Sequence, residues 1–187
     1  SFSISAWFKH AAAISGSDDL VIYYYNTSNT AVAGYAIYMD SNGNINFGID
    51  DDTTFNDDII RSVTDYSDGL WHHVVGVKNG TNSISLYIDG EKVAEDVSLT
   101  ATGTLTGANV PLMVGSDCSL GVNCTTGNSF WDGSIDELMI TAEAVRPDQI
   151  RRMYLAGKQA LQKQTVSSTA TSGSTTITHS CPRVKKI

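Results

Sequence analysis

Proline is scarce in this chain, at three among 187 residues, and cysteine is equally scarce. The scarcity of proline excludes a proline-rich linker or collagen-like rod. Three cysteines are too few for a disulfide-dense miniature scaffold. No apolar run approaches the roughly 18–20 residues that a helical membrane span requires, so no membrane span is expected. Neither an H-E-x-x-H nor a G-x-S-x-G nor a phosphate-loop motif occurs, which removes the commonest sequence-legible enzyme centres. The chain opens on Ser1 and carries no signal-like apolar segment, so it is read as a mature or excised piece. Basic residues are few in the body: residues 1–141 hold 18 acids against Lys9, Arg61, Lys78 and Lys92. Such a body repels phosphate, and no nucleic acid is expected as a partner. The balance reverses after residue 141, where eight bases face only Glu143 and Asp148.

What is present reads as strands. "SFSISAWFKH" alternates, with Phe2, Ile4, Ala6 and Phe8 on one face. "LVIYYYN" is rich in β-formers without alternation, as suits a strand covered on both sides. "GYAIYMDSNGNINFGID" holds two strands around Ser41-Asn42-Gly43, and "SISLYIDGEKVAEDV" repeats the device at Asp89-Gly90. "PLMVG" and "GSIDELMIT" add two more. Many short strands with Gly, Asn and Asp turns imply an all-β fold, an antiparallel two-sheet sandwich. The period changes after Thr141. Pro147 suits a first helical turn, and Ile150, Met153, Tyr154 and Leu161 form one stripe, so a helix is expected from Pro147 to Lys163. Residues 165–187 form a second region, a Ser/Thr-rich extended tail or linker with a basic end. The sandwich with its helix occupies residues 1–164.

Three segments carry a resemblance: "FSISAWFK", then "DGLWHHVVGVKNGTNSISLYIDGEKVA", then "PLMVGSD" with "FWDGSIDELMITAEAVRPDQIRRMYLAG". Together they resemble the laminin-G-like, concanavalin A-like jelly-roll superfamily, in its pentraxin-related branch, over about residues 1–157. The resemblance implies a jelly-roll sandwich, to which the residue pattern adds a short C-terminal helix and an extended tail. Members usually carry a strand before the "FSISAWF" strand, near the last one, and this sequence starts without it. A strand from elsewhere is therefore expected to fill that place, with Ser174–His179 as the local candidate. The resemblance also implies a structural calcium held by Asp136 and by the Asp18-Asp19 loop, since calcium takes six to eight oxygens.

Other candidate sites follow from residue type. Sandwich lectins stack aromatic rings on sugars, and Trp131, Tyr24 and Tyr35 are the ligand-binding candidates; Trp131 is expected to be exposed in the loop "NSFWDG". Cys118 and Cys124 lie close enough to close a small disulfide loop, which would indicate an oxidising compartment. Cys181 is left free or paired elsewhere. Glycosidases of this fold use acids at alternate strand positions. The nearest match, Asp89 with Glu91, falls on a hairpin turn, and no catalytic residue is assigned. His72 and His73 are adjacent, so a strand points them to opposite sides, and they are read as structural, one packed inside and one facing out. The expected role is a non-catalytic extracellular or cell- or virion-surface module for adhesion, recognition or assembly, with a glycan or protein ligand. The alternative is a structural subunit of a fibre, sheath or virion that self-assembles through residues 166–187. A glycoside hydrolase ranks below both.

Overall fold

A computed structural model describes residues 1–10, 18–23, 33–51, 58–105, 112–118, 127–128 and 130–164. In chain order the elements are β1 (Phe2–His10), β2 (Asp18–Tyr23), β3 (Gly34–Met39), β4 (Ile45–Asp50), β5 (Asp58–Arg61), β6 (Trp71–Asn79), β7 (Ser83–Ile88), β8 (Glu91–Asp96), β9 (Met113–Val114), β10 (Asp117–Cys118), β11 (Gly127–Asn128), β12 (Gly133–Thr141) and α1 (Pro147–Gln164). Two five-stranded sheets form, ordered β12-β1-β6-β7-β8 and β5-β4-β3-β2-β9, and β10 pairs with β11 as a small ribbon. All strand pairs are antiparallel. The expected two-sheet jelly-roll sandwich is the fold.

The turns form where the sequence supplies left-handed backbone. Gly43, at φ 74°, closes the β3–β4 hairpin, and the Asp40 carboxylate accepts from the Asn42 and Asn44 amides beneath it. Asp89 and Gly90 both take positive φ, 52° and 82°, between β7 and β8. Two successive residues of this kind match the twist of the flanking strands.

Alternation then sorts the faces. Ile4, Ala6 and Phe8 of β1, Val74 of β6, and Ile84, Leu86 and Ile88 of β7 point between the sheets. There they meet Leu20, Ile37, Met39, Ile45, Phe47 and Ile49. The intervening residues of the same strands point outward, where α1 covers Val75, Val77 and Tyr87 with Ile150. The helix begins where expected and runs one residue further, to Gln164. In its first turn the Gln149 side chain accepts from the Arg146 amide, while the Gln149 amide donates to the Arg146 carbonyl. The connector from β12 is pinned by Ser3, whose hydroxyl donates to the Glu143 carbonyl and accepts from the Val145 amide.

β12 lies at one end of its sheet and pairs, among the described residues, with β1 alone. One extra residue enters β12 between the partners of Ser5 and Trp7, and Glu137 there has φ 50°. It is a β-bulge on an edge strand.

Candidate functional site

β6 places the two adjacent histidines on opposite faces of its sheet. His72 pairs with Phe8 on the inner side and His73 with Trp7 on the outer side. Their surroundings diverge from that point.

His72 sits at the rim of the core between two carboxylates. Its Nδ1 lies 2.8 Å from Asp89 Oδ2 and its Nε2 3.2 Å from Asp68 Oδ1. The Tyr66 ring meets it edge-on at 4.9 Å. Burial works against the charged imidazole, but the hydrogen bond and charge of Asp89, then those of Asp68, outweigh it and raise the pKa above its ordinary value. Asp89 also accepts from the His73 amide, so this hairpin turn and β6 are tied together through one carboxylate.

His73 faces the outer side of the sheet, yet it is only 2% exposed, because α1 lies over it. Its Nε2 is 2.9 Å from the Ser5 hydroxyl, and its Nδ1 has no hydrogen-bond partner among the described residues. Burial, offset only slightly by the charge of Asp89, lowers its pKa to about 4. The ring is therefore neutral near pH 7. The expectation that one histidine packs inward holds for His72. The other points to the outer face without reaching solvent, since a helix some 75 residues downstream in sequence supplies the cover.

The space beside His73 is a groove of about 390 Å³. Trp7 and His73 form its floor, Glu137 and Met139 of β12 one wall, and Met153 and Ala160 of α1 the other. Gly157 allows α1 to approach, since a Cβ there would sit 2.4 Å from the Trp7 indole nitrogen.

The aromatic candidates fall differently from expectation. Trp131 is 8% exposed, packs edge-on against Phe8 and His10, and donates from Nε1 to the Lys9 carbonyl at 3.2 Å. It is a wedge in the core rather than an exposed ring, because a large amphipathic ring finds both apolar cover and a carbonyl at that depth. Tyr35 is half-buried and packs on Phe2 at 4.8 Å. Tyr24 lies outside the described residues. Among the described residues the exposed ring is Phe130, at 63%. Its signal was the neighbouring position in "NSFWDG": when Trp131 turns inward, the residue beside it turns outward. The Trp131 amide donates to the Gly115 carbonyl at 2.9 Å.

Of the expected calcium ligands, Asp136 is exposed on β12 and its Oδ1 accepts from the next amide, Glu137, at 2.8 Å. Asp18 and Asp19 begin β2, in the other sheet; their side chains lie outside the description. Among the described residues no group of three or more His, Cys, Asp or Glu side chains gathers, and the side chains of the Asp18-Asp19 half of the expected site lie outside that description. Cys118 is on β10; Cys124 and Cys181 lie outside the described residues, and the expected disulfide falls with them. The alternate acids Asp89 and Glu91 are both engaged, Asp89 with the histidines and Glu91 in an exposed ion pair with Arg151. None of the described helices is long and apolar enough to cross a membrane.

Comparison with known proteins adds the wider setting. No curated protein matches the chain. Among solved structures, a sialidase carbohydrate-binding module from Ruminococcus gnavus, bound to α2,3-sialyllactose, superposes with a TM-score of 0.65 at 12% identity, covering 82% of each chain. A heptameric SAP-like pentraxin from Limulus polyphemus matches with a TM-score of 0.58 at 16% identity, over 82% of this chain and 69% of its own. Botulinum neurotoxin type C, whose cell entry depends on two ganglioside molecules, matches with a TM-score of 0.54 at 18% identity, over 83% of this chain and 35% of that one. At these identities the likeness is one of fold. The sequence profile of the concanavalin A-like lectin/glucanases superfamily matches residues 1–151, and the chain belongs to that family.

Proposed function

We propose that this chain is a non-catalytic recognition module of an extracellular or surface protein, and that it takes a glycan at the surface around Phe130. The observation that carries the reading is the exposed Phe130 ring, held in place because its neighbour Trp131 is anchored in the core. A fixed apolar ring with an exposed carboxylate beside it, Asp132, offers a stacking platform and a hydrogen-bond acceptor for a sugar. Two of the structurally similar domains are described with sialyllactose and with gangliosides, which supports a glycan over a protein as ligand. A glycan array that includes sialylated lactoses tests it. The wild-type chain is expected to bind a restricted set, and Phe130→Ala to weaken that binding roughly tenfold without lowering the melting temperature. A folded wild-type chain that binds no glycan on the array would reject the reading.

A second reading, a structural subunit that self-assembles through residues 166–187, is favoured by a different observation, the edge of β12 that is unpaired among the described residues. Sizing across a concentration series separates it from the first, since a monomeric glycan binder shows no change of mass.

A further inference from the structure

Three Asn-x-Ser/Thr triplets occur in the chain, beginning at Asn26, Asn79 and Asn123. Such a triplet is the acceptor for an N-linked oligosaccharide when x is not proline and the asparagine ends on the surface. Asn26 and Asn123 lie outside the described residues. Asn79-Gly80-Thr81 lies within them, and its setting in the fold is specific. Asn79 ends β6 opposite Ser83, the first residue of β7, and residues 80–82 turn the chain between them. Backbone closes this turn: the Asn82 amide donates to the Asn79 carbonyl at 3.0 Å, and Gly80 takes φ 57°. A Cβ built on Gly80 would meet nothing within 4 Å, so the apex stands in open space.

Alternation puts Asn79 on the outer face with Val75 and Val77. The cover that buries those two valines does not reach it, and Asn79 and Thr81 are both exposed. Among the described residues neither the Asn79 carboxamide nor the Thr81 hydroxyl has a hydrogen-bond partner. The asparagines around the β3–β4 turn differ. The Asn44 carboxamide donates to the Thr64 carbonyl, and that of Asn46 donates to Asp40 and to the Asn44 carbonyl. A substituent on Asn79 therefore displaces no contact of the fold, whereas one on Asn44 or Asn46 would.

The site also has a definite place relative to Phe130. β1 and β6 run antiparallel, with Lys9 opposite Trp71 and Phe2 opposite Lys78. The Lys9 carbonyl holds the Trp131 indole, so Trp131 and its neighbour Phe130 belong to the Trp71 end. Asn79 stands at the other end of β6, about 26 Å of strand away.

We propose that Asn79 is a modification site, carrying an N-linked oligosaccharide at the pole of the sandwich remote from Phe130. The donor is an oligosaccharide activated as a lipid-linked pyrophosphate. Asn79 Nδ2 forms a bond to the anomeric carbon and gives up one proton. The bond from that carbon to the pyrophosphate oxygen breaks, and the lipid pyrophosphate leaves with the electron pair. Thr81 supplies the hydroxyl of the acceptor triplet. The attached sugar is bulky and hydrated, so it shields the Asn79 pole and leaves the Phe130 end open to a ligand. The inference rests on the extracellular part of the proposed function and not on Phe130 itself.

The test is peptide mapping of the full chain, secreted behind a leader from a host that performs N-glycosylation. Enzymatic release of N-glycans in heavy-oxygen water turns an occupied asparagine into labelled aspartate, which reads position 79 apart from positions 26 and 123. The wild type is expected to carry the label at 79. Asn79→Gln and Thr81→Ala should each abolish it, Thr81→Ser should keep it, and all three should melt with the wild type. An unlabelled Asn79 in the secreted, folded wild type would overturn the proposal, and so would a label at 79 that survives Thr81→Ala. The same preparations on the glycan array keep the two readings apart. A labelled Asn79 without array binding rejects only the Phe130 reading, and array binding with a bare Asn79 rejects only this one.

Discussion

The two faces of the sheet that holds β1 and β6 are built from alternate residues of the same strands, and they solve burial in different ways. The inner face is aliphatic and aromatic: Ile4, Phe8, Val74 and Leu86 close against Phe47 and Ile37 of the opposite sheet. The outer face is buried under a single helix and mixes Val75, Val77 and Ile150 with Ser3, Ser5 and His73. Two sheets can interdigitate along their whole width, whereas one helix about 10 Å across covers part of a sheet. The uncovered part of the outer face is the groove beside β12. Polar side chains are tolerated there because the helix connector and Ser5 supply hydrogen bonds, and the buried His73, whose Nδ1 has no partner among the described residues, borders the groove.

The largest test of this contrast is truncation on either side. Phe47→Ala removes the ring that fills the space over Gly76 and is expected to cost about 4 kcal/mol in urea unfolding. Ile150→Ala on the outer face should cost less, about 2–3 kcal/mol, because a surface helix can settle into the space while two sheets cannot. Equal losses would show that the helical layer is as rigid as the core.

Acid is the next largest test, and it separates the histidines. The His73 pKa of about 4 lies below the ordinary 6.5, so the unfolded chain takes up its proton first as pH falls. Stability from this group therefore declines from about pH 6.5 and levels off below about pH 4, a total on the order of 3 kcal/mol. His72 has the opposite sign. Its folded value is raised, so its contribution is full below the ordinary 6.5 and is lost as pH rises through the higher folded value. Urea titrations at pH 7, 5 and 4 should show His73→Gln losing less stability on acidification than wild type. An identical pH profile for the two would refute the assignment.

The smallest effect is expected from the glycines that allow close approach on each side. A Cβ at Gly76 would stand 2.8 Å from the Phe47 ring, and one at Gly157 would stand 2.4 Å from the Trp7 indole. Gly76→Ala should cost about 2 kcal/mol and Gly157→Ala about 1 kcal/mol, since overpacking is relieved by moving α1 but not by moving a sheet. Thermal unfolding of both variants measures the difference. A larger loss at Gly157 would reverse the order of rigidity.

Much of the fold was legible because its determinants are local. Asn42-Gly43 and Asp89-Gly90 fix hairpins through backbone that few other residues adopt, and the alternation of "FSISAWF" fixes a face. Pro147 and the stripe through Ile150 located α1 to within a residue at its end. The site was less legible. In "SFWDG" the sequence offers two adjacent rings and no local rule for which turns inward; Trp131 does so because the Lys9 carbonyl and the Phe8 and His10 rings await it from β1. The groove was invisible, since its walls come from β12 and α1 and its floor from β1 and β6.

By itself the sequence determined the strand and helix periods, the turns, and the opposite orientation of His72 and His73, all of which follow from the geometry of neighbouring residues. Tertiary structure alone decided that His73 is neutral and buried, that Trp131 is core and Phe130 is surface, and that β12 ends its sheet beside a groove. Those outcomes depend on which distant segments supply cover, carbonyls and charge, and a one-dimensional pattern does not encode that proximity.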